Sequence, residues 1–118
     1  RPIIDSPERA VAQLADIRDK KQEYFVCLTL DGANRLIAKR IITIGTLTSS
    51  LVHPREVFAD AITDRAASII VAHNHPSGSL EPSSADTEVT GRIARSGELI
   101  GINLLNHLIV TRDSYIAL

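Results

Sequence analysis

An α/β or α+β domain, with a mixed sheet covered by helices on both faces, is predicted from three features of this chain. Short, β-prone apolar runs recur at 24–30, 68–72 and 104–110. Stretches with helical spacing and helix-start residues lie between them. No repeat, low-complexity tract or linker interrupts the alternation.

The elements follow in order. Ser6-Pro7-Glu8 combines an N-cap, a proline at the first helical position and an early carboxylate, and Ala10, Val11, Leu14 and Ile17 continue at helical spacing, so a first helix is expected to end near Lys20-Lys21. The run from Tyr24 to Leu30 breaks at Asp31-Gly32 and resumes from Leu36 to Leu47, which predicts an antiparallel hairpin. Pro54 opens a second helix whose inward stripe is expected to be Val57, Phe58, Ala61 and Ile62. Ser68-Ile69-Ile70-Val71-Ala72 is a buried strand that runs into His73 and is stopped by Pro76 and Gly78. A third helix is expected from about Ser84 to Ser96, closed by Gly97 as a left-handed cap, with Gly91 inside it marking close packing. Leu104–Val110 and Tyr115–Leu118 are the remaining strand candidates.

Composition bounds the function. At 118 residues the chain suits one compact domain, and 44% hydrophobic with 23% charged residues in short runs reads as soluble and globular rather than membrane-spanning. A single cysteine, Cys27, allows no internal disulfide and no thiolate-rich metal site; with no signal-peptide pattern, a reducing cytoplasm is the expected compartment. A net charge of −1 gives no global basic field, leaving room only for a local patch, and two Tyr, two Phe and no Trp give little material for stacking platforms, so DNA binding is expected to be at most weak, salt-sensitive and sequence-independent. The chain opens at Arg1-Pro2, and the expectation is one domain, 1–118, forming the C-terminal part of a longer protein.

The chemistry concentrates in His73-Asn74-His75-Pro76-Ser77-Gly78 followed by Pro82-Ser83-Ser84-Ala85-Asp86. Residues two apart on an extended segment share a face, so His73 and His75 can reach one ion at the strand's exit. Ser83 is a good N-cap, and Asp86, three residues on, lies in the first helical turn, where its carboxylate can turn back toward the strand. Two nitrogens and one oxygen with a fourth position open to water suit a catalytic zinc ion. Ser83-x-x-Asp86 is also close to a capping box, so Ser83 is expected to alternate between capping and any other duty.

The His-x-His-Pro run with Ser and Asp at these spacings resembles the JAMM signature of the MPN metalloproteases. The flanking Val52-His53-Pro54-Arg55-Glu56-Val57, Ala72-His73-Asn74-His75-Pro76-Ser77-Gly78 and His107-Leu108-Ile109-Val110 resemble the bacterial RadC family, over most of the chain from about Glu23. The resemblance implies an α/β fold of three α-β-α layers around a mixed central sheet, of cytidine-deaminase-like architecture. It implies zinc on His73, His75 and Asp86, oxyanion support from Ser83, and a Glu23 that acts on the water. It also implies a peptidase or isopeptidase with a peptide or protein substrate, the alternative being a non-catalytic metal-binding interaction domain of a DNA repair or recombination-associated protein. Asn106 stands where relatives are expected to carry aspartate.

Blander readings stand beside these. Glu23 also reads as a charged residue at a helix-strand junction, His53 as a helix-entry residue, His107 as a hydrogen-bonded core histidine, and Arg55-Glu56 as a weak local ion pair. A zinc deaminase is excluded because its His-x-Glu and Pro-Cys-x-x-Cys elements are missing. No Gly-x-Ser-x-Gly elbow occurs, and Cys27 lies in an apolar run, which disfavours a serine or cysteine nucleophile.

Overall fold

In the computed structural model, which describes residues 1–48 and 51–118, helix α1 (Pro7–Ala12) and a 3-10 turn (Ala15–Ile17) precede the hairpin of β1 (Tyr24–Leu30) and β2 (Leu36–Ile44). Helix α2 (Pro54–Thr63), strand β3 (Ser68–Asn74), helix α3 (Ser84–Ile100) and strands β4 (Asn103–Val110) and β5 (Tyr115–Ala117) follow. Among the described residues, five strands form one sheet in the order β2-β1-β3-β4-β5. Only β3 and β4 run parallel, across the α3 crossover, and the other neighbours are antiparallel, so the sheet is mixed.

Strand alternation divides the core in two. Phe25 and Cys27 of β1 and Ile69 and Val71 of β3 face α2 and α3, where Val57, Phe58, Ala61, Val89 and Ile93 complete one apolar cluster. Val26, Leu28, Ile70, Ala72, Leu108 and Val110 face the opposite way and bury Ala10, Val11, Leu14 and Ile17. The result is the α-β-α layering anticipated above. β1 and β3 are covered on both faces, which is why both read as unbroken apolar runs. No helix among the described residues is long and apolar enough to cross a membrane.

Several boundaries differ from expectation. α1 stops at Ala12, because Gln13 and Leu14 bond to carbonyls three residues back and tighten the chain into 3-10 geometry, yet Leu14 and Ile17 remain buried. β2 ends at Ile44 rather than Leu47, since Gly45 takes φ +134°, a turn that strongly favours glycine. Ile62 is 59% exposed. On the wheel of α2, Pro54, Val57, Phe58 and Ala61 fill an arc of about 100° and Ile62 falls about 40° outside it. His53 is the N-cap of α2, with Nδ1 accepting from Arg55 N–H at 3.1 Å, and Arg55 and Glu56 pair loosely at 3.8 Å on the surface.

α3 runs through Gly97 to Ile100 and closes at Gly101 (φ +79°), with Ile102 N–H returning to the Gly97 carbonyl. Close packing therefore belongs to Gly97 and not to Gly91. A Cβ on Gly97 would lie 2.3 Å from the Ile102 carbonyl oxygen and 3.3 Å from the Phe58 ring, whereas one on Gly91 would meet only the guanidinium end of Arg95.

The two glycines should respond oppositely to alanine. Gly97→Ala is expected to destabilise by about 1–3 kcal/mol or more through overpacking against backbone. Gly91→Ala should stabilise by about 0.5–1 kcal/mol through helix propensity. Urea midpoints at constant m-value test both.

Candidate metal centre

β3 delivers the site. His73 is the penultimate residue of the strand and shares the face of Ile69 and Val71, while His75 lies one residue beyond and still bonds through its N–H to the Val110 carbonyl at 2.9 Å. The extension therefore carries both imidazoles to one side. His73 Nε2 lies 3.1 Å from Asp86 Oδ1, His75 Nε2 3.2 Å from Asp86 Oδ2, and the two Nε2 atoms are 3.1 Å apart. Phe25 stacks on His73 at 6.0 Å between centroids, so the ring is fixed by packing as well as by polar contacts.

The tautomers follow from partner to partner. Thr90 Oγ1 donates its one proton to the Asp86 carbonyl at 2.9 Å. Its contact with His107 Nδ1 must then be one in which the imidazole donates. His107 Nε2 is left as an acceptor for His73 Nδ1–H at 2.9 Å, and His73 Nε2 carries the lone pair. Burial pushes His107 down to about 3, so the ring is neutral. His75 is set by a shorter route: Nδ1 donates to the Ser79 carbonyl at 2.8 Å, so the neutral tautomer selected there has its lone pair at Nε2.

Asp86 is buried at the N3 position of α3, where Oδ2 accepts from Ser83 N–H at 2.8 Å while Ser83 Oγ accepts from Asp86 N–H at 3.0 Å. Burial alone would raise this carboxyl, but its contact with His73 and the Ser83 N–H outweigh it and hold Asp86 well below the usual carboxylate range. Two imidazole lone pairs and a carboxylate converging at about 3 Å repel one another unless positive charge lies among them. Tetrahedral zinc with ligands at about 2.0–2.1 Å would space them about 3.3 Å apart, close to the separations observed. His73, His75 and Asp86 are thus a group that could hold a metal ion, and their nitrogen and oxygen donors fit zinc.

Glu23 comes to the same place from a distance in sequence. It lies between β1 and the preceding loop, its carbonyl accepts from Gly45 N–H at 2.8 Å, and its Oε2 accepts from Leu47 N–H at 2.6 Å. Asn74, on the opposite face of β3 from the histidines, is buried and bonds both chain neighbours of Glu23: Oδ1 accepts from Tyr24 N–H at 2.6 Å and Nδ2 donates to the Gln22 carbonyl at 2.9 Å. Glu23, His75, Ser83 and Asp86 line one cleft of about 590 Å³.

All five residues singled out in the sequence therefore gather at one end of the sheet, His73 beneath the others as a buried member. Ser83 caps α3, but its Oγ serves there only as an acceptor, so capping and donating into the cleft can coexist rather than alternate. Asn106 lines a different cleft, with Ile4, Ser6 and Asn34. Asn74, Thr90 and His107 were not linked to the site by spacing; for Asn74 and His107 the available signal was a polar side chain in an apolar run, which must find buried partners, and for Thr90 there was none. Cys27 is remote from this chemistry: burial, helped by Asp60 and Asp64, pushes its thiol up to about 12.

The layered sheet and the His-x-His and Asp group at its edge define a domain of the JAB/MPN class. Within that class the chain belongs to the RadC-like JAB domain family, whose profile matches residues 4–118. It is 54% identical over 108 residues to a UPF0758 protein of Methanospirillum hungatei, covering 92% of this chain and 48% of that protein. It is 50% identical over 117 residues to the UPF0758 protein YsxA of Bacillus subtilis, covering 98% and 51%. A UPF0758 protein of Picosynechococcus is 47% identical over 114 residues, covering 96% and 47%. The chain spans about half the length of the curated relatives it matches.

One zinc per chain is the expected stoichiometry. Elemental analysis of His75→Ala, which removes a candidate ligand at the solvent side without opening a hole in the core, should show the metal lost; undiminished zinc would remove His75 from the candidate set.

Proposed function

We propose that this domain is a zinc-dependent hydrolase of peptide or isopeptide bonds, acting on a peptide or protein substrate. The supporting observation is that a convergent His73, His75 and Asp86 group opens onto the same cleft as an independently positioned carboxylate, Glu23, and a hydroxyl, Ser83. When bound, zinc supplies a Lewis acid that polarises a carbonyl and lowers the pKa of a coordinated water to about 7.

The chain's own residues supply the rest. Leu47 N–H holds Oε2 of Glu23 and fixes the carboxylate, leaving Oε1 to take a proton from the attacking water and return it to the leaving nitrogen. Ser83 Oγ–H, spare after capping, donates to the oxyanion as the carbonyl becomes tetrahedral. The cleft is bounded by Thr46, Leu47 and residues of the 76–83 loop.

Glu23→Gln is expected to keep fold and zinc content while lowering turnover of a peptide library by about 100- to 10,000-fold, the usual contribution of a positioned base. Metal lost together with activity would instead make Glu23 a ligand. A zinc-loaded wild type that cleaves nothing would favour the non-catalytic interaction domain.

Ser83 separates capping from chemistry. Ser83→Ala should cost about 1 kcal/mol of stability and about 100-fold in turnover. Ser83→Asp can cap but, ionised, has no proton to donate, so it should recover stability and not activity. Recovery of both, measured by thermal unfolding and turnover on the same samples, would leave Ser83 as a cap alone.

A further inference from the structure

We propose that His107 and Thr90, neither of them a ligand, are positioning residues that hold His73 in its metal-binding tautomer and so set the affinity of the centre. This rests on the metal-binding reading of His73, His75 and Asp86. Free imidazole populates both neutral tautomers, and only the one protonated on Nδ1 presents a lone pair at Nε2. Most ligating histidines secure that state with a carboxylate, a carbonyl or a water behind the ring. Here the acceptor behind His73 is another imidazole, which can itself donate or accept and therefore has to be set in turn.

The setting comes from the backbone of α3. Thr90 lies one turn after Asp86, and its hydroxyl donates to the Asp86 carbonyl, an acceptor that cannot reverse its role. His107 Nδ1 must donate to Thr90 Oγ1, and His107 Nε2 must accept from His73. The same helical turn that supplies the Asp86 carboxylate thus fixes, through two side chains, the lone pair of the nitrogen facing it. Burial keeps the relay from being short-circuited by water, since His73 and His107 are both inaccessible to solvent. Phe25 packs face-on against His73 and edge-on against His107, at 6.0 and 5.7 Å, so neither ring can flip without displacing it.

The test compares Thr90→Val, which keeps shape and removes the relay, with Thr90→Ser, which keeps the hydroxyl. A second pair, His107→Phe and His107→Gln, does the same one step nearer the site, because a glutamine amide can accept from His73 and donate to Thr90. Zinc affinity is read by competition with a chromophoric chelator, and the His73 tautomer in metal-free protein by ¹⁵N chemical shifts; circular dichroism confirms folding. Thr90→Val and His107→Phe should bind zinc about 10- to 100-fold more weakly, with His73 moving toward a mixture of tautomers, while Thr90→Ser and His107→Gln recover both readouts. Wild-type affinity and an unchanged His73 tautomer in folded Thr90→Val and His107→Phe would overturn the proposal alone. A wild-type protein that takes up no zinc would overturn the metal reading, and the proposal with it.

Discussion

The site depends on the alternation of side chains at the end of β3. Successive residues of a strand face opposite ways, so His73 and His75 emerge toward α3 while Asn74 emerges toward α1. The two histidines meet Asp86, and the asparagine between them grips the backbone on either side of Glu23. One three-residue segment thereby places the proposed ligands and the proposed base relative to each other. A slip of one residue in the pairing of β3 would exchange these roles, sending an imidazole into the α1 layer and an amide to the ligand position. That slip is opposed on both edges, by the ladder to β1 and the parallel ladder to β4, and on both faces by apolar side chains that would be misplaced together.

Burial makes the polar groups here strict about their partners. His73, Asn74, Asp86 and His107 are all essentially inaccessible, and an unpaired buried donor or acceptor costs about 1–3 kcal/mol. Each nevertheless has a partner of definite sense, and the chain of donation ends on a backbone carbonyl. The groups left facing one another, two imidazole nitrogens and a carboxylate, are all acceptors. A proton can satisfy one pair of them; a cation can satisfy all three. The like-sensed contacts left at this site are therefore the ones a metal would satisfy.

How much of this could be read from the sequence depended on the range of the contacts involved. The strands were legible because β1 and β3 are covered on both faces and so appear as unbroken apolar runs. Helix ends were less so: Gly97 and Gly101 are both plausible stops, and only the approach of the Ile102 carbonyl shows that Gly97 is needed inside the helix. Leu14 and Ile17, three apart, fit either an α-helix or a 3-10 turn. His73, His75 and Asp86 were legible because strand and helix geometry act over a few residues. Glu23 was reachable only through resemblance, since what brings it to the cleft is β1 pairing with β3 across some fifty positions. His107 was correctly read as a hydrogen-bonded core histidine; that its partner is a candidate ligand is a consequence of β3–β4 register, which no local spacing encodes.

Asp86 joins the fold to the site. Its Oδ2 closes the capping box of α3 while both its oxygens lie against the imidazoles, and its carbonyl receives the Thr90 hydroxyl. The positive end of α3 lies beside the carboxylate and favours its ionised form, which offsets part of the cost of burying it. The start of the helix and the charge of the site are consequently one feature. The crossover that makes β3 and β4 parallel begins beside the candidate metal site, and its first two turns carry the candidate ligand, the cap and the origin of the hydrogen-bond relay within eight residues, from Ser83 to Thr90. A loop could bring a carboxylate equally close, but it would not fix the carboxylate's orientation and the His73 tautomer from the same rigid backbone.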